Sequence, residues 1–416
     1  MTIQHLYVHI PFCRSRCGYC DFASEAVGPH ARAGRVEGYL EALRAELAAH
    51  IGGSLSAGPI ETIYVGGGTP TALPSEALVA LARELAARQP AAPGGAQAAG
   101  RPVAAIAPPK RAPEGEASAG MAPKTAPGAH RPLQPEFTME ANPGTIDAAL
   151  LERLAACGVT RLSLGVQSFA PALRATLGRR VAQREIEAAL AAIAATRWAE
   201  WNVDLVFGIP GQTWREAAAD IDAAVAARPT HVSLYDLTYT PAFQARVDAS
   251  LGAEARLAAA TFAERHYAEA VARLEAAGYH RYEVSNFALP GHECRHNQAY
   301  WRGEDYLGIG AAAVSTAGGE RRTNPRSVGD YLAGCPPQIE MVSPATRLWE
   351  RAMLGLRTTE GLDEVAFLVV IDQQARDRLL AQGCLERRYG KLRLNPGFLD
   401  VSNAVISALL VTPEES

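Results

Sequence analysis

Six short strand-like segments alternate with alanine- and leucine-rich helical segments between residues 5 and 235, and this alternation restricts the fold most strongly. The strand-like segments fall at residues 5–9, 61–65, 136–140, 160–165, 202–207 and 230–235. The amphipathic segments between them fall at residues 35–49, 75–88, 146–157, 184–196 and 214–227. This alternation predicts parallel strands joined by helical crossovers. Six units instead of eight predict an α/β fold with a partial, open (β/α)6 barrel.

Two parts of the chain break the alternation. Residues 90–135 are rich in alanine, proline and glycine without an apolar period, which predicts a disordered insertion within a barrel of residues 1–240. A long helix at residues 254–277 and an aromatic, polar stretch then predict an extension that closes the barrel, residues 241–335. Residues 336–416 indicate a small α+β domain of winged-helix type, with a hairpin at residues 385–394.

The composition excludes several classes of function. The 416 residues carry a net charge of −4, without the basic surplus of nucleic-acid-binding proteins. No apolar run reaches the length that a transmembrane helix requires. The seven cysteines are an odd number, and no secretory signal precedes them. We therefore expect a cytoplasmic protein with free thiols, no nucleic-acid partner and no transmembrane segment.

Three of the cysteines, Cys13, Cys17 and Cys20, lie close together near the N-terminus. Three thiolates can hold three irons of a [4Fe–4S] cluster and leave the fourth iron open, whereas an electron-transfer cluster is held by four cysteines. A zinc site would need further ligands at comparable spacing, and the other cysteines are single and far apart. The spacing therefore favours a cluster whose open iron binds a small molecule.

Polar residues follow several of the predicted strands. A Gly-Gly-Gly-Thr-Pro turn occupies residues 66–70, Glu140 and Gln167 end the third and fourth strands, and Asp204 lies in the fifth. A single glycine turn or a single strand carboxylate often has only a structural role. The carboxyl ends of successive parallel strands meet at one mouth of a barrel, however. Together these residues predict a site for a polar ligand.

In combination, the motifs resemble the radical S-adenosylmethionine (SAM) superfamily, and more narrowly the group that contains oxygen-independent coproporphyrinogen III oxidase and the haem chaperone HemW. The resemblance runs from residue 6 to about residue 410, apart from the insertion. It is carried by the sequences HIPFC at 9–13 with Cys17 and Cys20, GGGTP at 66–70, LGVQS at 164–168, GIPGQ at 208–212 and CRHNQAYW at 294–301.

The resemblance implies a role for each site residue. The three cysteines would ligate three irons, and the methionine amino and carboxylate groups of SAM would chelate the fourth. The residues near SAM would be Gly67, Gly68 and Thr69 at the amino group, Glu140, Gln167, Arg179 and Asp204 at the carboxylate and ribose, and Tyr7 beside the cofactor. One electron from a donor would reduce the cluster, which would cleave SAM to a 5′-deoxyadenosyl radical.

Two features favour the chaperone branch of this group. The oxidase pattern has a further cysteine two residues after the third cluster cysteine, where this chain has Phe22, and a longer segment before the motif. We therefore expect a haem-binding protein that passes haem to cytoplasmic or membrane-bound respiratory acceptors. The alternative is the oxidase, which decarboxylates a porphyrinogen in porphyrin biosynthesis.

His296 is the candidate axial ligand for haem, because haem iron is held by His, Cys, Met or Tyr. Cys294 lies nearby, and Tyr300 and Trp301 offer aromatic faces to a porphyrin. The alternative is that His296 closes a hydrogen-bonded turn over the barrel.

The chain departs from the family pattern at two positions. Val181 and Val314 stand where members of the family commonly carry histidine. Valine cannot ligate iron or transfer a proton. If either histidine serves haem in relatives, that role is weakened or relocated in this chain.

Overall fold

A twelve-stranded sheet organises the computed structural model, which describes residues 3–27, 32–52, 59–90, 134–196 and 198–412. Nearly all of the predicted insertion at 90–135 lies outside these residues. The strands are β1 (His5–Ile10), β2 (Phe12–Cys13), β3 (Glu25–Ala26), β4 (Thr62–Gly67), β5 (Glu136–Ala141), β6 (Arg161–Gln167), β7 (Glu200–Phe207), β8 (His231–Asp236), β9 (His280–Arg281), β10 (Asn286–Ala288), β11 (Tyr306–Ile309), β12 (Val314–Ala317), β13 (Glu320–Thr323), β14 (Gln338–Met341), β15 (Leu385–Arg388) and β16 (Lys391–Leu394).

The helices surround this sheet and form most of the C-terminal region. They are α1 (Arg32–Gly52), α2 (Ser75–Ala86), α3 (Ala148–Ala156), α4 (Pro171–Thr176), α5 (Gln183–Thr196), α6 (Trp214–Ala226), α7 (Pro241–Leu251), α8 (Ala253–Ala276), α9 (Arg295–Trp301), α10 (Val328–Leu332), α11 (Pro344–Gly355), α12 (Gln373–Ala381) and α13 (Ser402–Leu409).

The six predicted strands are all present and lie side by side in chain order. β1, β4, β5, β6, β7 and β8 pair in parallel, and helices cross over between them, which confirms the partial (β/α)6 barrel. The short strand β11 adds a further parallel partner to β1, and β12, β13 and β14 continue the sheet in antiparallel pairing. The sheet ends at β14 on one side and β9 on the other, so it stays open.

The two faces of the parallel strands differ in chemistry, because successive side chains point to opposite faces. The outer face is apolar and lies in the main hydrophobic core with helices such as α2, which contributes Leu78, Leu81 and Leu85. Burying one such side chain contributes about 2 kcal/mol. The inner face is polar, and its side chains are those of His5, Tyr7, His9, Thr62, Tyr64, Glu136, Thr138, Glu140, Arg161, Ser163, Asn202, Asp204, His231, Ser233 and Tyr235.

A second hydrophobic core forms in the C-terminal region, where α11, α12, α13 and the β15–β16 hairpin pack together around side chains such as Leu356 and Leu392. Strand β14 still belongs to the main sheet, so the change to the second core comes after the predicted boundary at residue 336. The two regions are joined where the Thr359 amide donates to the Tyr282 carbonyl at 3.0 Å. In the part of the chain that the structure describes, no helix is long and apolar enough to span a bilayer.

Candidate iron–sulfur and cofactor site

The three cysteines of the N-terminal motif lie in a loop that follows β1 and rests on the carboxyl ends of the parallel strands. Cys13 ends β2, and the Cys20 amide donates to the Cys17 carbonyl at 3.4 Å. The Thr69 amide donates to the Phe12 carbonyl at 2.9 Å, which joins this loop to the turn after β4. All three cysteines are free and half-buried. The loop is therefore held by the same strand ends that carry the other predicted site residues.

Two side chains direct hydrogen-bond donors at cysteine sulfurs. The Thr69 hydroxyl donates to Cys13 Sγ, and Arg179 Nη1 donates to Cys17 Sγ, both at 3.5 Å. The amide of Asn142 joins these donors, since its Nδ2 donates to Thr69 Oγ1 and its Oδ1 accepts from Arg179 Nη2, both at 2.5 Å. Donors to cysteine sulfur stabilise thiolate charge and help set the potential of a cluster. Sequence reasoning missed Asn142, although it follows β5 directly.

The residues around the thiols fit a [4Fe–4S] cluster. Within the described ranges, no three His, Cys, Asp or Glu side chains are arranged to bind one metal ion, the three cysteines included. Thiolates of a cubane each bind a different iron, so they need not converge on one point as zinc ligands do. Arg179 Nε is buried near these thiols and has no hydrogen-bond partner in the described part of the protein, and the buried Ser24 hydroxyl lies close enough to the Cys13 thiol to lower its pKa in part. They are donors suited to an anionic group.

The glycines after β4 allow the backbone to pass closely under the loop. Gly67 has φ of +104°, a conformation that side chains rarely adopt. A Cβ atom on Gly68 would lie 2.7 Å from the Ile10 carbonyl oxygen, and one on Gly66 would lie 2.7 Å from Glu140 Cδ. Glycine is therefore required at this turn, because the cysteine loop and Glu140 pack directly against it.

Two carboxylates lie on the inner face beside the glycine turn. Glu140 accepts from the Tyr64 hydroxyl at 2.8 Å and from the Gly67 amide at 3.0 Å. Burial, with a smaller contribution from the charge of Asp204, raises the pKa of Glu140 to about 7. Burial also raises the pKa of Asp204, which accepts from Asn202 Nδ2 at 2.6 Å. These carboxylates can accept hydrogen bonds from hydroxyl or ammonium groups of a ligand.

A chain of hydrogen bonds fixes the position of Asp204. Asn202 Nδ2 also donates to Ser163 Oγ at 2.7 Å, so its Oδ1 must accept the hydrogen bond of 2.7 Å from His231 Nδ1. Burial lowers the pKa of His231 well below its usual range, so the ring is neutral and its Nε2 accepts from the Tyr282 hydroxyl at 2.8 Å. The direction of each bond is thereby determined, and Asp204 is held by residues from three strands.

Tyr7, which the resemblance would place beside the cofactor, lies on the inner face of the barrel. Its ring stacks on Tyr64 with 6.3 Å between centroids, and its hydroxyl lies 3.0 Å from His9 Nδ1. His9 Nε2 lies 2.8 Å from the Ala23 carbonyl, so it carries the proton and Nδ1 accepts from Tyr7. Burial lowers the pKa of His9, which supports this neutral form. Tyr7 and His9 therefore link β1 to the cysteine loop.

Gln167 ends β6 in a strained conformation. Its φ is 72°, in the left-handed region that non-glycine residues adopt at a cost of about 1 kcal/mol. The pairing with β7 shifts register between Gly165 and Gln167. A Cβ atom on Gly165 would lie 2.9 Å from Gln167 Nε2 and 2.7 Å from Asn142 Oδ1. The bulge thus turns the Gln167 amide toward Asn142 and Arg179.

His296 lies far from the cysteines, at the amino ends of the parallel strands. Its Nδ1 is 2.8 Å from the hydroxyl of Thr62, the first residue of β4, and its amide donates to Glu136, the first residue of β5, at 3.0 Å. The residue is 1% exposed, and burial lowers its pKa to about 3. Its Nε2 is buried and has no hydrogen-bond partner among the described residues, so one ring nitrogen holds the contact with Thr62 while the other is left to bind a ligand. His296 as the axial ligand for haem stays a prediction.

Glu136 holds the residues around His296 in place. Glu136 accepts from the amides of Arg295 and His296 and from Cys294 Sγ at 3.4 Å, so it anchors the start of α9.

The two valines that stand where relatives commonly carry histidine lie at different places. Val181 packs against the main core, and Val314 pairs with Thr323 between β12 and β13.

The raised pKa of Glu140 predicts a pH-dependent effect of substitution. The pKa of the native carboxyl is about 7, whereas its ordinary pKa is 4.5. Between these two pH values the unfolded chain releases a proton that the native protein keeps. The contribution of this group to the free energy of unfolding is therefore fully present below pH 4.5 and is lost as pH rises through 7. Glutamine is neutral at every pH. We expect Glu140→Gln to stabilise the cofactor-free protein at pH 8 by on the order of 2 kcal/mol and to have little effect at pH 5.

Thermal unfolding of this variant at both pH values measures the effect. The exposed α3 residue Glu152, changed to Gln, serves as the matched control and should shift neither transition. An equal shift of the Glu140→Gln transition at pH 5 and pH 8 would contradict a raised native pKa.

The chain is similar in sequence to proteins of a known family. The family model described as the radical SAM superfamily matches residues 7–224, just over half of the chain. A protein named haem chaperone HemW from Synechocystis is 35% identical over 390 residues, which cover 90% of this chain and 82% of the relative. HemW of Mycobacterium tuberculosis is 32% identical, covering 97% of this chain and 94% of the relative. HemW of Escherichia coli is 31% identical, covering 94% and 96%.

Among solved structures, coproporphyrinogen III oxidase (HemN) from Escherichia coli has a similar fold. The TM-score is 0.70, the sequences are 20% identical, and the match covers 98% of this chain and 90% of the oxidase chain. At this level of identity the likeness shows a common fold. It confirms the barrel with its C-terminal extension.

Proposed function

This chain belongs to the radical SAM superfamily and, within it, to the HemW family, and on that basis we propose that it is a haem chaperone that binds haem and passes it to haem-requiring respiratory proteins. The observation that carries the proposal is similarity along almost the whole chain to proteins named haem chaperone HemW. The superfamily implies a [4Fe–4S] cluster and SAM. We place the protein in the cytoplasm, where free thiols stay reduced.

The site supports this proposal through three groups of residues. Cys13, Cys17 and Cys20 would each hold one iron, while Thr69 and Arg179 stabilise thiolate charge. The glycine turn would admit the methionine part of SAM. When bound, the cluster supplies one-electron chemistry to SAM.

The remaining inner-face residues would hold SAM itself. Arg179 suits a carboxylate, because a guanidinium can pair with it through two hydrogen bonds. Glu140 and Asp204 suit the amino and hydroxyl groups, and the stacked rings of Tyr7 and Tyr64 exclude water beside them. Gln167 adds an amide from the bulge of β6. His296, whose Nε2 has no hydrogen-bond partner among the described residues, remains the candidate axial ligand for haem.

The oxidase is the second candidate, and the shared fold favours it. Against it stands Phe22, which occupies the position of the additional cysteine in the oxidase pattern and is 64% exposed. An exposed phenylalanine cannot ligate iron.

An anaerobic assay separates the two functions. The protein is reconstituted with iron, sulfide and SAM, loaded with haem, and mixed with the haem-free form of a respiratory haem b subunit. We expect a shifted Soret band on loading and transfer of that band to the acceptor, at a rate above that of free haem. In a parallel reaction with coproporphyrinogen III and a reductant, we expect no 5′-deoxyadenosine in proportion to porphyrinogen. Stoichiometric consumption of porphyrinogen would contradict the chaperone and support the oxidase.

A further inference from the structure

Four exposed arginines surround the cysteine loop. Arg14 and Arg16 lie within the loop, Arg246 comes from α7, and Arg326 comes from the segment before α10. We call this set the arginine rim. Three separate parts of the chain thus bring positive charges to one small surface. Charges distributed at random over a solvated face would not cluster in this way.

Contacts place each member of the rim at the loop. Arg16 Nη2 lies 3.5 Å from the Cys20 carbonyl oxygen, and Arg326 Nη2 lies 3.1 Å from Asp21 Oδ1. Arg14 Nη1 donates to the Gly144 carbonyl at 2.7 Å, beyond the end of β5. The guanidinium of Arg246 covers Gly18, since a Cβ atom there would lie 2.5 Å from Arg246 Cζ.

The rim carries an excess of positive charge. Arg14 and Arg326 are paired with exposed or half-buried carboxylates, those of Glu185 at 3.3 Å and Asp21 at 3.1 Å. Arg16 and Arg246 donate to backbone carbonyls, and neither forms an ion pair with a carboxylate in the described ranges. This local excess of positive charge contrasts with the net charge of −4 of the whole chain.

An exposed aromatic side chain lies within this positive surface. Phe22 follows Asp21, which Arg326 contacts, and is 64% exposed. A large apolar side chain surrounded by charge is typical of the centre of a small interface, where it loses contact with water while the charged groups around it orient the partner.

We propose that the arginine rim and Phe22 form the docking surface for an acidic one-electron carrier protein that reduces the cluster. The inference rests on the proposed function, because it requires the cluster at the three cysteines. In the reaction the carrier loses one electron and the [4Fe–4S]2+ core gains it, with no bond made or broken. Three thiolates give the cluster site negative charge, which repels an acidic partner. The rim offsets that repulsion and accelerates the encounter.

The test is the rate of cluster reduction, followed anaerobically by the loss of cluster absorbance after rapid mixing. The reductant is a reduced, acidic flavodoxin, and the test protein is the reconstituted full chain with Arg16→Glu and Arg326→Glu together. At low salt we expect the second-order rate constant to fall at least tenfold in the double variant. In the wild type it should fall steeply as salt screens the rim.

Two controls distinguish an effect on the docking of the carrier from an effect on the cluster. Arg273 is an exposed arginine in the last turn of α8, the helix that precedes β9. Arg273→Glu should leave the rate constant within about twofold of wild type. Reduced methyl viologen, a small cation, should reduce the double variant at least as fast as the wild type.

Equal flavodoxin rates in wild type and double variant, or rates independent of salt, would overturn the proposal. So would a similar loss of rate with methyl viologen, because the arginines would then act on the cluster and not on a partner. Iron and sulfide contents are measured on the same samples. A wild type that assembles no cluster would instead contradict the proposed function, and this inference with it.

Discussion

The Cys17→Ala variant is expected to bind at most about a tenth of the iron and sulfide that the reconstituted wild type retains. Cys17 would supply one of only three protein ligands, and its sulfur accepts from Arg179 at 3.5 Å. Loss of this thiolate leaves an iron without a ligand and leaves Arg179 Nη1 without its sulfur acceptor. Loss of a residue that merely orients a metal ligand already costs 10- to 100-fold in affinity, so removal of a ligand costs at least as much. Iron and sulfide analysis after anaerobic reconstitution measures the effect.

Cys157→Ala is the matched control for this experiment. Cys157 is also half-buried and free, but it follows α3 on the outer layer and packs against the main core. It should keep the wild-type iron content. Equal iron in the two variants, whether high or low, would contradict the assignment of the N-terminal cysteines as the cluster ligands.

Arg179→Lys is expected to weaken SAM binding at least 30-fold, which corresponds to about 2 kcal/mol. Arg179 is 8% exposed, and its two terminal nitrogens reach Cys17 Sγ and Asn142 Oδ1 at once. A lysine ammonium is a single point and cannot span both groups while also pairing with the SAM carboxylate. Equilibrium binding of SAM to the reconstituted protein gives the dissociation constant.

The next residue offers the control for this change. Arg180 is exposed, and Arg180→Lys keeps both charge and length at a neighbouring position. We expect its SAM dissociation constant to lie within about twofold of wild type. If Arg179→Lys binds SAM as the wild type does and its cluster is intact, Arg179 does not hold the SAM carboxylate.

The parallel barrel could be predicted because its strands and helices have distinct apolar periods. Strands β1, β4 and β5 begin within one residue of the predicted positions. Strand β11 could not be predicted, because it has four residues, includes Gly308, and gains its place beside β1 only from a pairing about 300 residues away in sequence. The helix predicted at residues 254–277 matches α8, whereas α7, which only Gly252 separates from it, was not predicted.

Sequence reasoning identified polar residues that belong to conspicuous motifs and missed those whose role depends on partners distant in sequence. Glu140 and Asp204 end or occupy strands that the pattern identified. Asn202 and His231 belong to the same strands, but their partners come from neighbouring strands, and this pairing depends on register. His296 lies in a conspicuous motif, but its burial against Thr62 and Tyr64 could not be predicted, because these residues lie more than 200 positions away in sequence.

The central claim is that three thiolates hold a [4Fe–4S] cluster and that SAM occupies its fourth iron. The most direct measurement is electron–nuclear double resonance of the reduced, reconstituted protein with SAM labelled by 17O in the carboxylate and 15N in the amino group. The account predicts hyperfine coupling of both nuclei to the cluster. A reduced [4Fe–4S] signal that shows neither coupling at saturating SAM would contradict it.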